Sequence, residues 1–383
     1  MHFTQDQISE ILTQIAREKD GFRKIMTLSL ESIMKAEREV HNQKEDDVSN
    51  GFRPRKVFGE GKMLEIRVPR SRSGEFYPFL LSILKDQQEE SQKLVYSLYS
   101  SGLTTAQIGD IFEQVYGKHY STSQVSHLMD YAREEVDLWL KRKLDSYYPI
   151  IYIDATCILT RRGDSVSKEA YYTILAVRND KTREVLAVVN SPNESATIWE
   201  ETFRELQNRG VQSVGLVVSD GLTGIENAVT KVFTTAAHQL CTVHLKRNVI
   251  NTVNKKDKPK IISDLKAVFD PDNPSDNAAS GHQRWMAFIE EWNKKYPDFN
   301  KYKDPRYWLY FTYLNYNVSI RRMIYTTNWI ERLNKSYKRT TKMRASLPNA
   351  DAVLFLLGSV AQKQKAYDYP ITNFNNEQKL FGK

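Results

Sequence analysis

Ile8, Ile11, Leu12 and Ile15 recur at helical spacing near the amino terminus, so residues 5 to about 41 are expected to be helix. The period then changes. "RKVF" and "MLEIRVP" read as two short strands around the turn "GEGK". From about Leu80 to Leu144 the pattern is helical again. Inside that stretch Thr104 or Thr105 can cap one helix, and Ser121 or Thr122 can cap a second, "TSQVSHLMDYA", after a break at Gly117. Beyond Tyr148-Pro149 apolar runs take over. "IIYIDATCIL" is a buried strand, and "EAYYTILAVRNDKTREVLAVVNSP" is a hairpin turning at Arg178 to Thr182. In "SPNESATIWEETFRELQNRG" a helix starts with Ser191 as cap, Pro192 in the first turn and Glu194 completing a capping box, and Gly210 ends it. "SVGLVVSDG" is a fourth strand, "LTGIENAVTKVF" a helix and "AAHQLCTVH" a fifth strand. The order is β-β-β-α-β-α-β. Residues 245 to about 325 read as aromatic-rich helices and loops. They are followed by "TTNWIERLNKSYKRTTK" and an apolar helix from about Asn349 to Lys363.

Composition narrows the partners. The 383 residues suffice for two or three domains, and 55 Lys and Arg against 47 Asp and Glu give a net charge of +8. That sign favours a polyanion, nucleic acid before membrane. Cys157 and Cys241 are the two cysteines, which excludes a disulfide framework and points to a reducing compartment. No run approaches ~18 apolar residues, and the amino terminus lacks the apolar core of a signal peptide, so a cytoplasmic protein is expected. Between Gly51 and Glu75 lie Arg53, Arg55, Lys56, Lys62, Arg67, Arg70 and Arg72 among three acids. The ribbon is either a solvated surface or a set of phosphate contacts. The two capped helices are either a helical hairpin or a helix-turn-helix, with Ser123, Gln124 and His127 as candidate base or backbone contacts.

Three acids carry candidate chemistry. Asp154 sits in a strand of apolar neighbours, where a carboxylate needs a metal, an arginine or a backbone donor. Asp220 ends the fourth strand, either as a turn or cap residue or as part of a site at the sheet's rim. Glu331 stands three residues after Asn328, the spacing of a capping box. Yet it shares a helix face with Lys335, Lys338 and Lys342, while Ile330, Leu333 and Tyr337 form the apolar face. A carboxylate for a metal ion, followed by bases for phosphates, would explain that mixture. Two metals about 3.5–4 Å apart can drive phosphoryl transfer, and such a site normally wants a third acid. Cys241 and His244 have metal-like spacing without a second pair nearby. Cys241 is therefore read as a small buried structural residue and His244 as a near-site or DNA-contacting one.

Seven motifs in order resemble the mutator-type insertion-sequence transposases of bacteria, relatives of the eukaryotic Mutator-like elements. They are "NGFRPRK", "VPRSRSGEFYP", "YIDAT", "NESATIWEETFRELQNRGV", "VVSDGLTGIENAV", "QLCTVHLKRN" and "TTNWIERLNKSYKRTTK", and they span roughly Asn50 to Asp351. The strand order matches a ribonuclease-H-like sheet, the family's catalytic fold. The resemblance implies that Asp154, Asp220 and Glu331 are a catalytic metal-binding triad using Mg²⁺, with Mn²⁺ able to substitute. It also implies cleavage at transposon ends and joining of a 3′-hydroxyl to DNA. The expected class is α/β, with N-terminal helices over 1–50 and a basic ribbon and helix-turn-helix over 51–148. The ribonuclease-H-like catalytic domain is expected over 149–244 and 326–365, with an α-helical insertion over 245–325. Expected DNA contacts are Arg53, Arg55, Lys56, Arg70, Arg72, Ser123, Gln124, His127, His244, Arg247, Lys335, Lys338, Arg339 and Lys342. The expected partner is double-stranded DNA, both terminal inverted repeats and target, bound by a homodimer away from any membrane. A nuclease that does not join, or a silent DNA-binding protein, are the alternatives.

Overall fold

The computed structural model describes residues 4–59, 62–116, 120–190 and 196–371. The expected turn residues Glu60 and Gly61, the break at Gly117 and the capping group Ser191, Pro192 and Glu194 lie outside those residues. The chain divides into two compact units, residues 1–99 with 104–132, and residues 100–103 with 133–383.

The first unit opens with α1 (Gln5–Ala16) and α2 (Gly21–Glu45), not with one helix to residue 41. The hydrophobic spacing hid a break. Asp20 takes a left-handed φ of 65°, and a Cβ on Gly21 would stand 1.9 Å from Ile15 O, so this Asp-Gly pair forces a turn. The expected ribbon follows as β1 (Ser49–Gly59) and β2 (Lys62–Ser71), antiparallel. Val57, Leu64, Ile66 and Val68 pack with Met34 of α2 and with Leu81 and Leu84 of α3 (Phe79–Ser100). Buried Arg38 of α2 ties the ribbon by donating to Gly51 O (3.1 Å) and Arg70 O (3.4 Å). Next come α4 (Thr105–Tyr116) and α5 (Thr122–Leu128). Thr104 and Ser121 each form a capping box, with Gln107 and Gln124. The second helix is shorter than the sequence pattern suggested. It stops at Leu128, and α6 (Asp130–Leu140) starts separately after Met129.

The second unit is built on a sheet ordered β5-β4-β3-β6-β7 among the described residues. Its strands are β3 (Tyr147–Arg162), β4 (Ser165–Val177), β5 (Arg183–Asn190), β6 (Ser213–Ser219) and β7 (Ala237–Leu240). β3, β4 and β5 form the expected antiparallel meander, with the second turn closed by Arg178 N donating to Thr182 O. β6 and β7 add in parallel. α7 (Ala196–Asn208) and α8 (Thr223–Val232) cover one face, burying Trp199, Phe203 and Ile225 against Ile151, Ile153 and Ile174. Between β7 and the last two helices runs an insertion of α9 (Thr242–Asn251), α10 (Lys258–Val268), α11 (Ala278–Asn293), several 3-10 turns and α12 (Val318–Ile324). The aromatic run "YWLYFTYLNYN", read as helix, forms 3-10 turns (Pro305–Tyr310 and Thr312–Asn315). Fully buried Gln239 of β7 explains how the insertion is held. It donates to Tyr310 O (3.1 Å) and accepts from Tyr313 N (2.6 Å). α13 (Asn328–Thr341) lies against β3, and α14 (Ala350–Gln362) against β3 and β5.

Candidate active site

β3 and β6 pair in parallel up to Ile153 and Ser219. One step further stand Asp154 and Asp220, so the register puts both acids at the same rim on neighbouring strands. Alternation along β3 sends Ile151, Ile153 and Ala155 into the α7–α8 core and Asp154 to the opposite face, toward α13. There Asn334 Nδ2 donates to Asp154 Oδ2 at 2.9 Å. Burial, foremost, pushes the Asp154 carboxyl up to about 6. The nearby Glu331 charge adds to this, while His244 and Lys338 oppose it.

The turn after Asp220 is clamped from the insertion. Arg306 Nη2 donates to Gly221 O (2.6 Å) and pairs with Glu226. A Cβ at Gly221 would stand only 3.0 Å from the Tyr310 hydroxyl. Arg306 and Asn334 escaped the sequence reading. Asn334 left one trace, as a polar residue on the apolar stripe of Ile330, Leu333 and Tyr337. Arg306 left none.

α13 corrects one expectation. Thr327, not Asn328, holds the cap position, and no side chain caps the helix. Thr326 Oγ1 takes Asn328 N (3.3 Å), while Thr327 Oγ1 is turned to Cys241 Sγ (3.5 Å). Asn328 is thus already helical. Glu331 falls one position beyond a capping box, its own amide bonded to Thr327 O. Its carboxylate reaches Arg247 instead, at 3.9 Å.

Cys241 is buried at the start of α9, with His244 one turn on. The hydrogen bond to Cys241 is the largest influence on His244. With the Asp154 and Asp220 charges it outweighs burial and raises the imidazole to about 9. Burial pushes the Cys241 thiol up, but His244 draws it below its ordinary value. Lys335, Lys338, Arg339 and Lys342 are exposed along α13, and Arg247 is exposed on α9.

In the first unit Arg53, Arg55, Lys56, Arg70 and Arg72 are exposed on the ribbon. Arg67 is not free for a ligand, because Glu31 of α2 holds it by two side-chain hydrogen bonds. Ser123, Gln124 and His127 lie on the exposed face of α5. Gln124 Oε1 is engaged by Ser121 N (2.9 Å), and His127 sits 3.2 Å from Asp130.

The donor set at the rim suits a hard divalent cation, which takes carboxylate and amide oxygens. Asp154, Asp220 and Glu331 could hold one. Buried Asn334 Oδ1, beside Asp154, has no donor among the described residues. No three His, Cys, Asp or Glu side chains close into a finished ligand group among the described residues. No helix there is long and apolar enough to cross a membrane.

Comparison with known proteins shows the family. The profile of the family described as "Transposase, Mutator family" matches residues 2–369. The transposase for insertion sequence element IS905 of Lactococcus lactis subsp. lactis (strain IL1403) is 32% identical over 304 residues, covering 79% of this chain and 76% of that protein. The transposase for IS1201 of Lactobacillus helveticus is 33% identical over 310 residues, covering 81% and 82%. The transposase for IS256 in transposon Tn4001 of Staphylococcus aureus is 27% identical over 371 residues, 94% of each chain. With a profile match over nearly its whole length and relatives above 30% identity, the chain belongs to the Mutator family of transposases.

Proposed function

We propose that this protein binds the terminal inverted repeats of an insertion sequence, cuts strands there and joins the freed 3′-hydroxyl to target DNA. Asp154, Asp220 and Glu331 are the catalytic acids, on a ribonuclease-H-like sheet with Mg²⁺ as cofactor and Mn²⁺ able to replace it. One observation carries the reading: Asp154 and Asp220 sit one register step past the last β3–β6 pair, and the Glu331 charge is felt at Asp154. Bound Mg²⁺ would supply charge neutralisation at the reacting phosphate and a more acidic water or hydroxyl.

The protein's own groups do the rest. Asn334 fixes the Asp154 carboxylate. Arg306 fixes the backbone that presents Asp220. The His244 cation and Lys338 offset the Glu331 charge felt at Asp154 and favour an approaching phosphodiester. Lys335, Arg339, Lys342 and Arg247 extend the positive surface along the strand, as phosphate contacts that position the DNA without reading it. In the first unit the exposed ribbon bases serve the same purpose, and α4 with α5 acts as a helix-turn-helix through Ser123, Gln124 and His127. The working form on DNA is a homodimer.

The test is incubation of the whole protein with the DNA flanking its own gene, with Mg²⁺ or with chelator, mapping cut and joined ends. Mg²⁺-dependent cuts at the element ends and joined products are expected. Cuts without joining would favour a nuclease, and binding with neither would favour a silent DNA-binding protein.

A further inference from the structure

A cavity of about 560 Å³ opens beside the first turn of α13. Arg183, Arg322 and Arg332 line it with Asn328, Trp329 and Ser319, and its lining includes no carboxylate-bearing residue. Arg322 pairs with Asp272. Arg183 has no such partner among the described residues. Its guanidinium lies over the rings of Trp329 (4.9 Å) and Tyr367 (5.0 Å), and its Nη2 donates to Ala366 O (2.6 Å). Its buried Nε has no hydrogen-bond partner there. Burial, with Arg332 nearby, lowers its affinity for its proton. Arg183 is half-buried and Arg332 exposed, and two neighbouring guanidinia with no acid against them among the described residues leave a place for an anion. The volume, within the range of small-molecule sites, exceeds what a bare phosphate needs. An indole at the wall adds a stacking surface. Phosphate donors beside a flat aromatic face match one chemical class.

We infer that this cavity binds a nucleotide, its phosphate on Arg183 and Arg332 and its base against Trp329. Asn328, Trp329 and Arg332 sit on the turn of α13 that carries Glu331, so the occupied cavity would hold a nucleotide beside the candidate active site. The choice of a DNA strand as the source rests on the proposed function. The cavity's preference for nucleotide chemistry does not, and a free nucleotide is the other source.

The test uses the full protein and a single-stranded oligodeoxynucleotide carrying 5-iododeoxyuridine, crosslinked by light and mapped by mass spectrometry. A crosslink in the peptide holding Trp329 is expected. Exposed Arg332 can be changed without disturbing the core, and Arg332→Gln should weaken oligonucleotide binding several-fold, about tenfold with Trp329→Leu added. Competition by free dTMP at this crosslink would assign a free-nucleotide source. No competition would assign a strand nucleotide. Strong crosslinking elsewhere, with none at Trp329 and no effect of Arg332→Gln, would overturn the inference. If the protein captures no oligonucleotide, the DNA reading fails separately. Equilibrium dialysis with dTMP then decides the cavity, and absence of Arg332-dependent binding overturns it.

Discussion

Glu184 on β5 and Asp154 on β3 are buried to nearly the same degree, at 8% and 7% exposure. Their surroundings differ. Glu184 pairs with Arg142 and receives hydrogen bonds from Arg178 Nε (2.6 Å) and Tyr148 (2.7 Å). Burial pushes its carboxyl up, but these donors outweigh burial and hold it below its ordinary value. Asp154 has the Asn334 amide and no arginine partner, and burial lifts it to about 6. A saturated carboxylate is a structural element. One without an ion-pair partner among the described residues, with a second acid across the strand register, is poised for a ligand that brings positive charge. The same sheet thus holds one acid saturated by donors and, under the proposed function, one acid kept for chemistry.

The largest effect that could break this contrast is catalytic. Asp154→Asn should lower strand cleavage by roughly 10³-fold or more, with gel-shift affinity for terminal-repeat DNA unchanged. Cleavage near the wild-type level would place Asp154 with Glu184 as a structural acid.

The mirror experiment concerns stability. Glu184→Gln leaves Arg142 without its acid and Arg178 with Asp145 alone (3.4 Å), and because both arginines are partly exposed it should cost up to about 3 kcal/mol in chemical denaturation of the unit that holds the sheet. Asp154→Asn should cost far less, because the amide removes an unfavourable buried charge. Equal losses would erase the distinction.

A smaller effect sharpens it through pH. Folded Asp154 titrates near 6 against 3.8 for the free group. Between those values the native state keeps a proton that the unfolded chain has released. Its contribution is therefore fully present below about pH 4 and is lost as pH rises through 6, on the order of 3 kcal/mol. With chelator present, wild type should lose stability over that window relative to Asp154→Asn. Glu184 has the opposite sign, its contribution being lost as pH falls. A flat difference between wild type and Asp154→Asn would mean that Asp154 is not desolvated.

The smallest effect lies on the exposed face. Lys335→Gln should leave stability unchanged and reduce the slope of log binding constant against log salt by about 1. An unchanged slope would remove Lys335 from the phosphate contacts.

Much of this arrangement is legible in the residues. The meander and the two βα steps follow from apolar runs and turn chemistry at Arg178 to Thr182, which are local signals. Asp154 and Asp220 could be paired because strand register converts two sequence positions into one rim. The break at Asp20-Gly21 was written as a turn dipeptide but lost beneath a continuous hydrophobic stripe. The 3-10 turns after Pro305 are held by the bonds of buried Gln239 to Tyr310 and Tyr313, partners far away in sequence. Arg306 and Asn334 act over 85 and 180 residues of sequence separation, so no local pattern announces them. Glu331 lay between these cases. Its spacing from Asn328 looked like a cap, and its role turns on where α13 begins, which buried Thr326 and Thr327 decide.

Glu331→Gln is therefore the sharpest measurement. Because no capping box exists to lose, the change should cost the favourable dipole interaction of a first-turn acid and the long, exposed contact to Arg247 (3.9 Å), about 0.3–1 kcal/mol. The assay is cleavage and joining of labelled terminal-repeat DNA in Mg²⁺, beside a gel shift on the same samples. Collapse of both reactions with binding intact, and little further loss when Asp154→Asn is added, is the predicted result. Near-normal cleavage by Glu331→Gln would contradict the assignment of a three-acid catalytic site.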